Sequence, residues 1–193
     1  MKLAEIKKAC MAECKMYAIN AGINGRWISD GRAAWAMPDL PLDERSMITL
    51  FEITDKERSE MRVQALDVDS EGWEILGPSE ASEIHLTEKA RLTNLLYLEM
   101  EPESMQDKAE VLVIELDKAK PGMVKGRSPE YWLRPEGPHG QPVVAMYDAM
   151  KCTAIIAPLS KVRVKALQES LKKISEYRMY DTGAGGAFEN DDA

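Results

Sequence analysis

The sequence predicts an α+β fold, a mostly antiparallel sheet built from hairpins with an N-terminal and a C-terminal amphipathic helix. Three observations predict it. Arg26-Trp27-Ile28-Ser29-Asp30-Gly31-Arg32-Ala33-Ala34-Trp35-Ala36-Met37 places an Asp-Gly turn between two apolar-rich runs. This is a strong local hairpin signal, because the turn needs a positive φ that Gly supplies cheaply. Further short apolar segments recur between Gly and Pro breaks. The apolar residues near both ends recur at the three- and four-residue spacing of a helix.

Taken in order, residues 2–15 form the first helix, with Leu3, Ile6, Cys10 and Cys14 on its apolar side and Tyr17 continuing the line. A strand follows at 16–19, then the hairpin at 26–37. Pro38 and Pro41 break the chain, and Asp43 caps a helix over 44–52 whose apolar side is Met47, Ile48, Leu50 and Phe51. Residues 60–68 alternate as a strand, with Met61, Val63 and Ala65 pointing one way. A Ser70-Glu71-Gly72 turn leads to a short strand at 73–76, ended by Gly77-Pro78. Leu92, Leu95, Leu96 and Leu98 suit either a helix or a buried strand at 90–100. The run Val111-Leu112-Val113-Ile114-Glu115-Leu116 reads as a strand apolar enough to sit centrally in a sheet. Residues 119–142 are rich in Pro and Gly and read as a long irregular loop, within which Tyr131-Trp132-Leu133 pairs as a short edge strand. Strands at 142–147 and 152–157 turn near Asp148-Ala149-Met150. The last helix runs from its cap at Ser160 to about Tyr177, with Val164, Leu167, Leu171 and Ile174 as its core face. The domain reading is one α+β domain over 1–180 and a flexible, Gly-rich acidic tail over 181–193.

The chain has 193 residues, 45% of them hydrophobic, enough for one packed domain. No run of 18 apolar residues exists in the sequence. Charges at Lys2, Glu5, Lys7 and Lys8 stand where a signal peptide has its apolar run, so the expected compartment is the cytoplasm. Three cysteines without a CxxC pair fit a reducing compartment rather than a disulfide scaffold. Two histidines leave little material for metal sites or His-based catalysis. The net charge is −8, and half of it lies in the last 13 residues through Asp181, Glu189, Asp191 and Asp192. That balance argues against wrapping duplex DNA and fits partners that are proteins or small molecules.

The chemistry-bearing motifs resolve mostly into structure. Asp181-Thr182-Gly183-Ala184 spells the aspartic-protease tetrapeptide but follows a helix and is too near the chain's end, so it reads as a helix stop. Cys10 and Cys14 lie one helical turn apart, a spacing that holds zinc only if further ligands such as Cys152 or a histidine join them, and on the apolar face they read as core. His139 in a Gly-Pro-His-Gly turn and His85 in a strand read as ordinary histidines. Gly183-Ala184-Gly185-Gly186 lacks the strand and helix of a phosphate loop. Glu99, Glu101 and Glu103 read as a solvated acidic face. No cofactor and no metal is expected.

Two candidate surfaces remain. Trp27, Asp30 and Arg32 of the hairpin, with Tyr131, Trp132 and Arg134 of the long loop, have the aromatic-and-arginine composition of binding hot spots, and such aromatics also stack flat ligands. The last helix carries Lys161, Arg163, Lys165, Lys172 and Lys173 ahead of the acidic tail, a basic helix whose nucleic-acid surface the tail would screen.

Gly25-Arg26-Trp27-Ile28-Ser29-Asp30-Gly31-Arg32-Ala33-Ala34-Trp35, then Leu40-Pro41-Leu42-Asp43-Glu44 and Thr49-Leu50-Phe51-Glu52-Ile53, resembles uncharacterised accessory proteins of Gram-positive phages and prophages. Val143-Val144-Ala145-Met146 and Ala154-Ile155-Ile156-Ala157-Pro158-Leu159 look like their final hairpin. The match covers about half the chain in patches and brings no catalytic residue. A fainter likeness is to a sliding-clamp domain, from which the chain departs in its acidic charge, its 119–142 loop and its length. The expectation is a non-enzymatic, phage-type inhibitor or anti-defence protein in the host cytoplasm. It would bind a host or defence macromolecule or a nucleotide-like ligand, with homo-oligomers compatible. The alternative is a single-strand-binding or clamp-like replication or recombination accessory that contacts DNA through the basic helix.

Overall fold

The computed structural model describes residues 2–22, 25–37, 43–67, 83–92, 97–103, 112–135, 141–167 and 169–170. The chain divides into two compact units, Met1–Pro158 and Leu159–Ala193. In the second unit residues 161–167 and 169–170 are helical, and the Ser160 hydroxyl accepts the Arg163 N–H at 3.4 Å as the expected cap.

The first unit runs α1 (Leu3–Glu13), β1 (Lys15–Asn20), β2 (Arg26–Ser29), β3 (Ala33–Met37), α2 (Glu44–Leu50), α3 (Asp55–Glu60), β4 (Arg62–Asp67), β5 (Ile84–Leu92), β6 (Tyr97–Pro102), β7 (Leu112–Glu115), α4 (Leu116–Ala119), β8 (Glu130–Arg134), β9 (Val143–Asp148) and β10 (Lys151–Ile156). A 3-10 turn at Lys120–Gly122 continues α4. These ten strands form one sheet in the order β4-β1-β2-β3-β10-β9-β8-β5-β6-β7. Every neighbouring pair is antiparallel except β1 with β4, which are parallel and are separated in the chain by the β2–β3 hairpin, α2 and α3. The α+β, mostly antiparallel class is the one observed.

Local chemistry explains the elements that the sequence pattern locates. The β2–β3 turn holds Gly31 at φ 90°, while one Asp30 carboxylate oxygen accepts the N–H groups of Arg32 and Ala33, each at 2.8 Å. Asp43 caps α2 by accepting the Ser46 N–H at 2.9 Å. The β9–β10 connection is a two-residue turn, Asp148 pairing Lys151, with Ala149 at φ 55°.

Several expectations are corrected. The ambiguous 90–100 stretch ends β5 and begins β6, which pair with a bulge between Glu88 and Ala90. β7 is not central: it is the last strand of the sheet. Its apolar character comes from curling. Ile114 and Leu98 share one core with Ile28 and Trp35 of the opposite half, so this edge folds back over the concave face. β8 is not an edge strand but lies between β5 and β9, because Tyr131 and Leu133 enter that same core and Trp132 packs on the other face. The segment 119–142 is thus partly regular, carrying the end of α4, the 3-10 turn and β8. α3 has no counterpart in the sequence reading. Cys10 is buried, but Cys14 is exposed, since it ends α1 in the left-handed conformation at φ 53°. Pro38, Pro41, the turn and strand over 70–76, Gly77-Pro78, His139, Leu171, Ile174 and the 181–193 tail lie outside the described residues.

Both faces of the sheet are apolar. The concave face gathers Met16, Ile28, Trp35, Met146, Val144 and Ile156 with Ile6, Ala9 and Cys10 of α1. The other gathers Ile19, Trp27, Ala34, Ala145, Tyr147 and Ile155, with Trp132 and Cys152 beside them.

Candidate functional site

The two Arg-and-aromatic segments are not brought to one site. They build two clusters, one at the β2–β3 turn and one on the sheet face opposite the concave core.

At the turn, Asp30 is fully buried. Its second carboxylate oxygen accepts from the Lys118 ammonium at 2.5 Å, and Lys118 also reaches Glu13 at 3.0 Å. Arg32 is held by the Glu115 carboxylate at 3.0 and 3.2 Å and by Glu13 at 3.4 Å. The Trp35 indole N–H donates to the Lys118 carbonyl at 2.8 Å. The five charges join α1, the hairpin and the β7–α4 junction. Burial pulls the Lys118 pKa down, but the hydrogen bonds and charges of Asp30 and Glu13 outweigh it and hold the ammonium above the ordinary lysine value. For Glu13, burial acts upward and is outweighed by Lys118 and Arg32, so its carboxyl titrates below the usual range. Above this cluster a cleft of about 120 Å³ opens between α1 and the β7–α4 junction. Cys10 beneath is a protonated thiol, raised by burial first and by Asp30 second.

On the sheet face, Trp132 of β8 is half-buried and meets the His85 ring of β5 edge-on, with centroids 4.8 Å apart. His85 Nδ1 lies 2.5 Å from a Glu103 carboxylate oxygen, which fixes the ring beside the indole. Two residues along β8, Arg134 is buried and ion-paired to Glu83, and it donates to the Tyr147 hydroxyl at 2.7 Å. Burial pushes the nearby Cys152 thiol up to about 12, against the opposing pull of Arg134. It is therefore not a thiolate at neutral pH.

Of the residues singled out from sequence, Trp27 and Tyr131 are buried at 3% and 5%, Asp30 and Arg134 are enclosed in ion pairs, and Arg32 is partly exposed but committed to Glu115. Trp132 keeps an accessible surface. On the C-terminal helix Lys161, Arg163 and Lys165 are exposed, and Lys172 and Lys173 lie outside the described residues. Sequence reasoning missed Lys118, Glu13, Glu115, Glu83 and His85 as partners. All are ordinary surface-type residues in pattern, and their pairing spans up to 105 positions.

Among the described residues, no group of three or more His, Cys, Asp or Glu side chains is placed to hold a metal ion. No helix among them is long and apolar enough to cross a membrane. No family model, no curated protein and no solved structure matches the chain.

Proposed function

We propose that this chain is a non-catalytic, cytoplasmic accessory protein of the phage type that acts by binding a host or defence macromolecule or a nucleotide-like ligand, with Trp132 at the contact. The observation that carries this reading is the Trp132–His85 pair. It is a part-exposed indole beside an imidazole that a carboxylate holds in place, on two neighbouring strands inside the sheet. A rigid pair of flat rings suits stacking or anchoring at low entropic cost. Asp30, Arg32 and Arg134 then serve as the frame of the molecule rather than as contacts.

The test is a pull-down from host-type lysate with the parent protein and with Trp132→Ala, each with and without nuclease, read by mass spectrometry and nucleotide analysis. The expected result is a stoichiometric ligand or protein that survives nuclease and is lost with Trp132→Ala while the variant keeps the parent's circular dichroism. Equal capture by the two proteins would remove Trp132 from the site.

The second reading, DNA binding in replication or recombination, is favoured by the exposure of Lys161, Arg163 and Lys165 along one helix. It predicts single-stranded oligonucleotide binding at low salt that weakens as salt rises and strengthens when residues 181–193 are deleted. Fluorescence anisotropy reads it, and a deletion variant that binds nothing at low salt sinks it.

A further inference from the structure

The cluster at the β2–β3 turn holds more than an ion pair needs. The Lys118 ammonium and the Asp30 carboxylate lie 2.5 Å apart, on side chains 6% and 0% exposed. Each is pinned by its own backbone. Asp30 sits in the turn ahead of Gly31, and the Lys118 carbonyl accepts the Trp35 indole N–H at 2.8 Å. The two oxygens of Asp30 are not equivalent. Oδ1 accepts the Arg32 and Ala33 N–H groups, each at 2.8 Å, and Oδ2 faces the ammonium. A third group touches the same nitrogen: Glu13 Oε1 lies 3.0 Å from Lys118 Nζ, on a side chain 29% exposed. The cleft above is lined by both Glu13 and Lys118, so a small molecule released here has a way out.

An amine, a carboxyl carbon, two N–H donors on one carboxyl oxygen and a proton carrier are the parts of an acyl transfer. We propose that this cluster is a site of covalent self-modification, at which Lys118 Nζ and Asp30 Cγ join in an isopeptide bond. The ion pair is the state in which the chain folds, and the bond forms from it afterwards. Burial disfavours both charged forms, so one proton passes from the ammonium to Oδ2 across the hydrogen bond and leaves an amine beside a carboxylic acid. The amine nitrogen attacks Cγ. Negative charge grows on Oδ1, where the Arg32 and Ala33 N–H groups already point. Glu13 takes the second proton from the nitrogen and passes it to Oδ2, which leaves as water through the cleft. One N–C bond forms, one C–O bond breaks, Glu13 ends as it began, and no oxidant or other reactant enters. Holding both groups in place supplies the effective concentration that a free amine and carboxylate lack in water, and the product removes two buried charges. The link spans 88 positions of the chain, so it restricts the unfolded state as a disulfide does. It is independent of the Trp132 surface.

Mass spectrometry of the denatured full-length protein tests it, on samples drawn from folding onward through a week at physiological temperature and neutral pH. The mass is expected to fall one water below that of the sequence. A tryptic digest should then yield a branched peptide that joins the segment holding Asp30 to the one holding Lys118, with no cleavage after Lys118. Glu13→Gln, at a partly exposed position, should slow the joining about a hundredfold while its circular dichroism matches the parent's. If that variant does not fold, the parent's mass and digest decide alone. A parent that keeps the full mass of its sequence through the week overturns the proposal. So does a water lost as a cyclic imide at Asp30-Gly31, which the digest shows as an unbranched peptide. A folded Glu13→Gln that joins as fast as the parent overturns the role given to Glu13.

Discussion

Lys118 is 6% exposed and yet charged, because Asp30 and Glu13 both accept from its ammonium. Removing one partner of such a buried pair leaves the other uncompensated, which costs about 3–5 kcal/mol. Lys118→Met is expected to lose that much in urea unfolding. Adding Asp30→Asn should recover part of it, since the amide oxygen still accepts the Arg32 and Ala33 N–H groups while the lone buried charge is gone. The pH dependence follows from the same cluster. Lys118 titrates above its unfolded value, so its contribution is complete below about pH 10.4 and is lost as pH climbs through the folded pKa. Glu13 titrates below its unfolded value, so its contribution is complete above about pH 4.3 and is lost as pH falls through the folded pKa. Calorimetric melting temperature should therefore fall on both sides of a neutral plateau, and Lys118→Met should flatten the alkaline side. Residue identity was legible here only in part. Asp30 stands out by its turn chemistry, but nothing in the local pattern marks a lysine 88 positions away as its partner.

Among the elements, those set by neighbouring residues were the readable ones. The Asp-Gly hairpin, the Asp43 cap and the alternating strands each follow from interactions within a few positions. α3 obeys the same rules yet was missed: Thr54 accepts the Glu57 N–H at 3.3 Å while Glu57 accepts the Thr54 N–H at 2.8 Å, a reciprocal cap that the Thr-x-x-Glu spacing encodes. Thr54→Ala is expected to cost about 1 kcal/mol in denaturant unfolding. The β9–β10 turn carries strain that the sequence does not relieve, because Ala149 sits left-handed. Ala149→Gly should stabilise by about 1 kcal/mol. A variant less stable than the parent would mean that Ala149 is not strained there. What local rules cannot supply is the position of a strand in the sheet, and the reversal of β7 and β8 between edge and interior shows it. An apolar run reports that both faces are covered, not whether a neighbouring strand or a curled sheet covers them.

The whole molecule depends on that curl, and the 3-10 turn after α4 is wedged into it. A Cβ on Gly122 would lie 2.3 Å from Met146 Cε and 3.2 Å from the Ala154 and Thr153 side chains, so Gly122→Ala should destabilise by about 1–3 kcal/mol through overpacking. A thermal melt like the parent's would show that Met146 moves aside freely. The sequence by itself determined the α+β class, the hairpins, the caps and a shortlist of aromatic and arginine residues. All of these rest on periodicity and turn chemistry acting over a few residues. Only the tertiary structure decided the strand order, the burial of Trp27, Asp30, Tyr131 and Arg134, the accessibility of Trp132, and the partners that hold the two arginines. Those depend on contacts between residues far apart in the chain, whose energies are settled by which surfaces meet when the β7 edge comes back against the β2–β3 turn.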